Sequence, residues 1–144
     1  MTRTSPLYRK FVLQPGLFAG VTLNNSGTAP IQYLFGLGGL TPDNYIESYV
    51  AFTGLHFVQE FGSYALVGRL KLQYNMWKKI YLNLRADAGG NEKDFDQLFA
   101  GKNFLVGYGI TAGYDSFIGP LEISIMSSNI NPGLMLFLNL GYWF

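Results

Sequence analysis

Residues 105–115 read LVGYGITAGYD, and the side chains sort by parity: Val106, Tyr108, Ile110, Ala112 and Tyr114 against Leu105, Gly107, Gly109, Thr111, Gly113 and Asp115. Successive side chains of an extended strand point to opposite faces, so this spacing predicts a strand with one apolar face and one mixed face. The same alternation recurs along the chain. Residues 11–24 set Phe11, Leu13, Pro15, Leu17, Ala19, Val21 and Leu23 against Val12, Gln14, Gly16, Phe18, Gly20, Thr22 and Asn24. Residues 80–89 set Ile80, Leu82, Leu84, Ala86 and Ala88 against Tyr81, Asn83, Arg85, Asp87 and Gly89. Residues 121–128 do the same, and the last stretch, GLMLFLNLGYWF, runs the pattern to Phe144 with Leu134, Leu136, Leu138, Leu140, Tyr142 and Phe144 on the apolar side.

Tyr64 to Met76 and Ile31 to Leu37 follow the rule less cleanly, and ESYVAFTGLHFVQ, residues 47–59, has apolar residues on both parities. The expectation is an all-β chain: an antiparallel meander of about eight strands, near 9–24, 30–38, 47–59, 64–76, 79–90, 104–117, 119–129 and 133–144. NMWKK, FIGP and NINPG are tight turns, and the connection 90–103 is the longest. Eighteen glycines weigh against helices, each weakening one by up to about 1 kcal/mol. With 144 residues and no linker or repeat, residues 1–144 read as a single domain. The opening MTRTSPLYRKF lacks a basic segment followed by an apolar one, so no secretory signal is expected and an exported protein would be a mature or excised piece.

A sheet with one apolar face can hide it in a soluble barrel or turn it towards lipid. Charge decides between them: 13% of the residues are charged, against about 25% in a typical soluble domain. The mixed face is rich in glycine (Gly16, Gly20, Gly36, Gly38, Gly107, Gly109, Gly113, Gly141), a poor solvent face that suits a crowded interior. Several strands reach the length of about 9–11 residues that a tilted strand needs to cross a bilayer. Aromatic residues mark strand ends (Tyr8, Tyr33, Tyr64, Trp77, Tyr114, Tyr142, Trp143), as at lipid–water interfaces. A transmembrane β-barrel follows. A soluble lipid-binding β-barrel is the alternative, and it requires Leu136 and Ile123 to be protected.

On the inward parity Arg69, Lys71 and Arg85 stand against Asp87, Asp115 and Glu122, a set whose charges balance, as groups withdrawn from water must. It reads first as filling for a small barrel, with a polar path as the functional alternative. Catalytic signals are weak. His56 is the single histidine, a Ser–His pair would need Ser48 or Ser63 as its partner, and there is no G-x-S-x-G elbow. No cysteine is present, and Asp43, Glu92, Asp94 and Asp96 lack ligand spacing, so neither a metal site nor a cofactor is expected. GLGGL lacks the lysine and helix of a phosphate loop. A net charge of +1 gives no case for nucleic acid. The chain is not expected to be an enzyme.

Leu138, Leu140, Gly141, Tyr142 and Phe144 resemble the C-terminal assembly signal of bacterial outer-membrane barrels, which the barrel assembly machinery reads. Over about the last 110 residues, YLFGLGGL, VAFTGLHFVQEFGS, RLKLQYNMWKKIYL, GYGITAGYDSFIGPLEISI and LFLNLGYWF resemble the barrel region that the surface-antigen, or outer-membrane assembly-factor, superfamily shares with some patatin-like phospholipases. The catalytic domain, the periplasmic repeats and the sixth-loop Val-Arg-Gly-Tyr motif of that superfamily have no counterpart here. The resemblance implies a bacterial outer-membrane location, contact with the lipid bilayer, and a role as membrane anchor or as pore or translocation barrel. Because the superfamily's barrels are sixteen-stranded, it leaves two arrangements open: one chain closed into a small barrel, or a homodimer sharing a sixteen-stranded wall for transport.

Overall fold

The computed structural model describes residues 5–8, 10–22, 33–40, 48–57, 59–92 and 104–141. Ten strands follow in chain order: β1 (Ser5–Tyr8), β2 (Phe11–Val21), β3 (Phe35–Leu37), β4 (Tyr49–Val50), β5 (Glu60–Gly62), β6 (Tyr64–Trp77), β7 (Ile80–Glu92), β8 (Leu105–Ser116), β9 (Gly119–Ser128) and β10 (Met135–Leu140). Seven make one antiparallel sheet in the order β1-β2-β6-β7-β8-β9-β10. Stretches with clean alternation give β2, β7, β8 and β9, and the less regular Tyr64 to Met76 stretch gives the longest strand, β6, of 14 residues. Their pairing is continuous: β2 runs against β6 from Phe11↔Tyr74 to Val21↔Tyr64, and β7 against β8 from Ile80↔Tyr114 to Gly89↔Leu105.

Two expected wall strands are not in the wall. The segments near 30–38 and 47–59 supply β3 and β4, which with β5 form a separate three-stranded sheet in the order β4-β3-β5. Here β3 lies parallel to β4, a departure from the all-antiparallel meander. In the wall, β2 pairs directly with β6, so the described parts of residues 22–63 are an insertion rather than wall. Among the described residues the wall has seven strands, in keeping with an antiparallel barrel meander, and its edges β1 and β10 do not pair.

The insertion lies on the mixed face. Leu37, Val50, Phe52 and Leu55 of the insertion pack with Val67 of β6 and Leu105 of β8, and Phe18 of β2 joins them. Phe18 meets Phe35 edge-on, with ring centroids 5.7 Å apart. The core of the molecule thus lies between wall and insertion. The opposite face of the wall is bare: Leu17, Leu70, Leu84, Tyr108, Ile110, Leu138 and Leu140 are exposed, with Leu136 64% and Ile123 46% accessible.

Strand directions define two rims. Lys10 and the short turns at residues 78–79 and 117–118 lie on one rim. The long insertion, the connection after Glu92 and the 129–134 turn leave from the other. With seven strands, β1 begins at the long-loop rim and β10 ends at the short-turn rim. No helix among the described residues is long and apolar enough to cross a membrane.

Candidate functional site

On β7, Asp87 faces inward and is 1% exposed. Its register partners are Arg69 on β6 and Gly107 on β8, and Arg85 lies two residues earlier on the same face. Alternation alone therefore brings two guanidiniums and one carboxylate together. Arg69 Nε donates to Asp87 Oδ1 at 2.9 Å, and Arg85 Nε donates to Oδ2 at 3.0 Å. A carboxylate withdrawn from water needs such charge-assisted partners.

The insertion completes the cluster. Thr53, fully buried, donates its backbone N–H (2.8 Å) and its hydroxyl (2.6 Å) to Asp87 Oδ2. The carbonyl of Ala51 accepts from Nη2 of Arg69 and, at 3.3 Å, from Nη2 of Arg85. The wall thus contributes the charges and the insertion contributes backbone polar groups plus one hydroxyl. A second anchor lies on β9 and the turn after it. Ser128 Oγ (2.7 Å) and Asn131 Nδ2 (3.1 Å) donate to the carbonyl of Gly54, whose N–H faces Met126 Sδ at 3.3 Å. Asn131 Nδ2 also reaches Gln59 Oε1 at 2.8 Å, and on β7 Asn91 Nδ2 donates to Phe35 O at 3.1 Å.

Glycine makes the close approach possible. A Cβ on Gly107 would overlap the Thr53 carbonyl, and one on Gly109 would press on Thr53 Cγ2. Gly54 has φ +80°, a region side chains disfavour, and lies against the Ser127 backbone. Gly107 and Gly109 thus clear a trough for one segment, whereas a Cβ on Gly20 would meet the Phe35 ring and one on Gly113 the Tyr81 ring.

The six charged residues picked out by parity divide. Arg69, Arg85 and Asp87 come together as described. Glu122 forms its own group, accepting from Tyr81 OH at 2.8 Å and Asn139 Nδ2 at 3.2 Å. Lys71 is in register with Gln14 and Arg85 on the inward face. Asp115, near the end of β8, is exposed, and its N–H donates to the Lys79 carbonyl. It stands at the short-turn rim, outside the cluster. Of the C-terminal signal residues, Leu138 and Leu140 lie outward on β10, and Gly141 turns the chain with φ +87°; Tyr142 and Phe144 lie outside the described residues. His56 is exposed in the insertion, its backbone N–H on Gln59 Oε1. Among the described residues no group of three or more His, Cys, Asp or Glu side chains is placed to hold a metal ion.

Thr53, Ala51, Gly54, Ser128 and Asn131 were not picked out from the sequence. Four of the contacting groups are backbone atoms (Thr53 N–H, Ala51 C=O, and both N–H and C=O of Gly54), which carry no residue signature. The one available signal was the Gly107–Gly109 pair opposite Arg85 and Asp87.

A sheet with one bare apolar face and one covered polar face is consistent with a β-barrel wall, and among the described residues the sheet is not closed. Comparison with curated proteins gives no match. Over residues 1–144 the chain matches the model of the family described as the OMP85 superfamily, and it belongs to that superfamily of outer-membrane β-barrel proteins.

Proposed function

We propose that this chain is a membrane-spanning part of an outer-membrane barrel wall whose lumen is occupied by its own insertion, held at Asp87. The observation that carries this reading is the opposed burial of the two faces: leucine and isoleucine are bare outside while Asp87 is sealed inside. In water the bare face would be unstable, because monomeric soluble proteins rarely expose contiguous apolar patches of that extent. Against lipid it costs nothing. An apolar groove of about 540 Å³ on this face, bounded by Leu70, Leu84, Tyr108, Ile110 and Ile125, suits acyl chains. The short turns then face the periplasm and the long connections the exterior.

The reading assigns no catalytic step to the chain; its role is wall, anchor and plugged pore. Translocation through such a pore requires the insertion to move, so the Asp87 cluster is the latch. Insertion by the barrel assembly machinery, through the C-terminal strand, belongs to the same reading.

Strand count bears on how the ring closes. The interior of an eight-stranded barrel is filled by side chains alone. A seven-stranded wall around a backbone insertion therefore has no room to close on itself. Phe57 and Phe61 of the insertion are also exposed, as they would be beside further wall. Because β1 and β10 run in the same direction, two copies related by an axis along the barrel would meet at parallel seams. Antiparallel closure takes an odd number of further strands, and we favour it over the homodimer.

The chain has no cysteine, so single nitroxide labels test the reading directly. Labels at Leu136→Cys and Ile123→Cys in vesicles are expected to relax with dissolved oxygen and to be shielded from a water-soluble nickel chelate. Chelate access at both positions overturns the membrane-spanning reading.

A further inference from the structure

The short-turn rim carries more than turn residues. Lys10 precedes β2, and Lys78 and Lys79 form the β6–β7 turn; all three are exposed. They are neighbours across the sheet, because Phe11 is in register with Tyr74 and the Asn75 N–H donates to the Lys10 carbonyl at 2.8 Å. Beside them Trp77 is 70% exposed, and on the next turn Phe117 is 96% exposed with Ile118 also bare. Phe11 and Tyr74 stack at 4.7 Å directly beneath this rim on the outward face. Of the rim's acids, Asp115 is the exposed one among the described residues, while Glu122 is turned inward onto Tyr81 and Asn139.

We infer that this rim is a binding site for the headgroups of anionic phospholipids. Lys10, Lys78 and Lys79 meet the phosphates, and Trp77, Phe117 and Ile118 enter the boundary between headgroup and acyl chain. The inference rests on the membrane-spanning reading above and deepens it by naming a lipid class. Two independent features point to a lipid surface rather than to water. Three ammonium groups gathered on adjacent turns repel one another unless anions lie between them. The largest apolar side chains of the two turns project beyond the strands, where packing within the chain offers them nothing. Long lysine stems reach from an apolar wall to a charged headgroup layer, and amphipathic aromatic rings favour that depth. A neutral lipid headgroup would satisfy the aromatics but leave the lysines without a counter-charge.

The test uses Trp77 as its own probe. In the full chain carrying Trp143→Phe, reconstituted into mixed vesicles of phosphatidylcholine and phosphatidylglycerol, bromine is placed on the acyl chains of one lipid at a time. Brominated phosphatidylglycerol is expected to quench Trp77 more than brominated phosphatidylcholine at equal mole fraction. The local enrichment is expected to be about fivefold for each lysine engaged, and to fall as salt is raised. Lys10→Gln/Lys78→Gln/Lys79→Gln is expected to abolish the preference while keeping the quenching. If the Trp143→Phe chain does not fold, the difference between the natural chain and Trp77→Phe isolates the same signal. Equal quenching by both lipids, or a preference that survives the triple substitution, overturns the lipid-class inference and leaves the membrane reading standing. Absence of quenching by either lipid overturns both.

Discussion

The carbonyl oxygen of Thr53 occupies the space that a Cβ on Gly107 would need. Gly107 is also the register partner of Asp87, so the missing side chain opens the gap through which the insertion reaches the carboxylate. Wall and insertion are fitted at this one position more closely than anywhere else on β8.

Gly107→Ala is therefore expected to displace the insertion without unfolding the wall. Overpacking of this kind costs about 1–3 kcal/mol. Amide hydrogen exchange checks it: the Thr53 N–H loses protection in the variant, while β6 and β7 amides keep theirs.

Asp87→Asn leaves Arg69 and Arg85 facing each other without their counter-charge. Removing one partner of a buried ion pair costs about 3–5 kcal/mol. A large fall in the denaturation midpoint is expected, with loss of Thr53 protection. Glu122→Gln is the comparison: a neutral amide still accepts from Tyr81, so its cost is expected near 1 kcal/mol.

Thr53→Val keeps the shape and the backbone N–H but removes the hydroxyl that donates to Asp87. A hydrogen bond to a charged group contributes about 1.5–3 kcal/mol. Thr53→Ser retains the donor and is expected to cost less. Equilibrium unfolding of the two variants side by side checks the ordering.

Ile123→Lys places an ammonium on the bare outer face. Against lipid the cost is about 2–4 kcal/mol near the bilayer midplane and falls towards the interfaces. Folding equilibria in vesicles are expected to show this penalty, and to show less of it for lysine at Leu140, close to the short-turn rim. A neutral outcome at both positions contradicts lipid contact.

Parity alone determined most of the wall. Strands expected near 64–76, 79–90, 104–117 and 119–129 lie at Tyr64–Trp77, Ile80–Glu92, Leu105–Ser116 and Gly119–Ser128, because each has one exposed apolar face and one face against polar groups. That asymmetry writes itself into every second residue. It also drew Arg69, Arg85 and Asp87 onto one face before any pairing was known. The residues 47–59 carry apolar side chains on both parities, and the structure supplies the reason: Val50, Phe52 and Leu55 are buried in an insertion packed against the wall, not in a strand with one wet and one dry side. Which way that segment folds depends on contacts with β6, β7, β8 and β9, distant in sequence and made largely through backbone atoms. Asp115 marks the same limit from the other side. Its parity is inward, but it lies near the end of β8, where the strand has reached the rim and the side chain meets water. Alternation thus determined which face each residue takes; only the tertiary structure decided what lies against that face, because such contacts join segments that no local period connects.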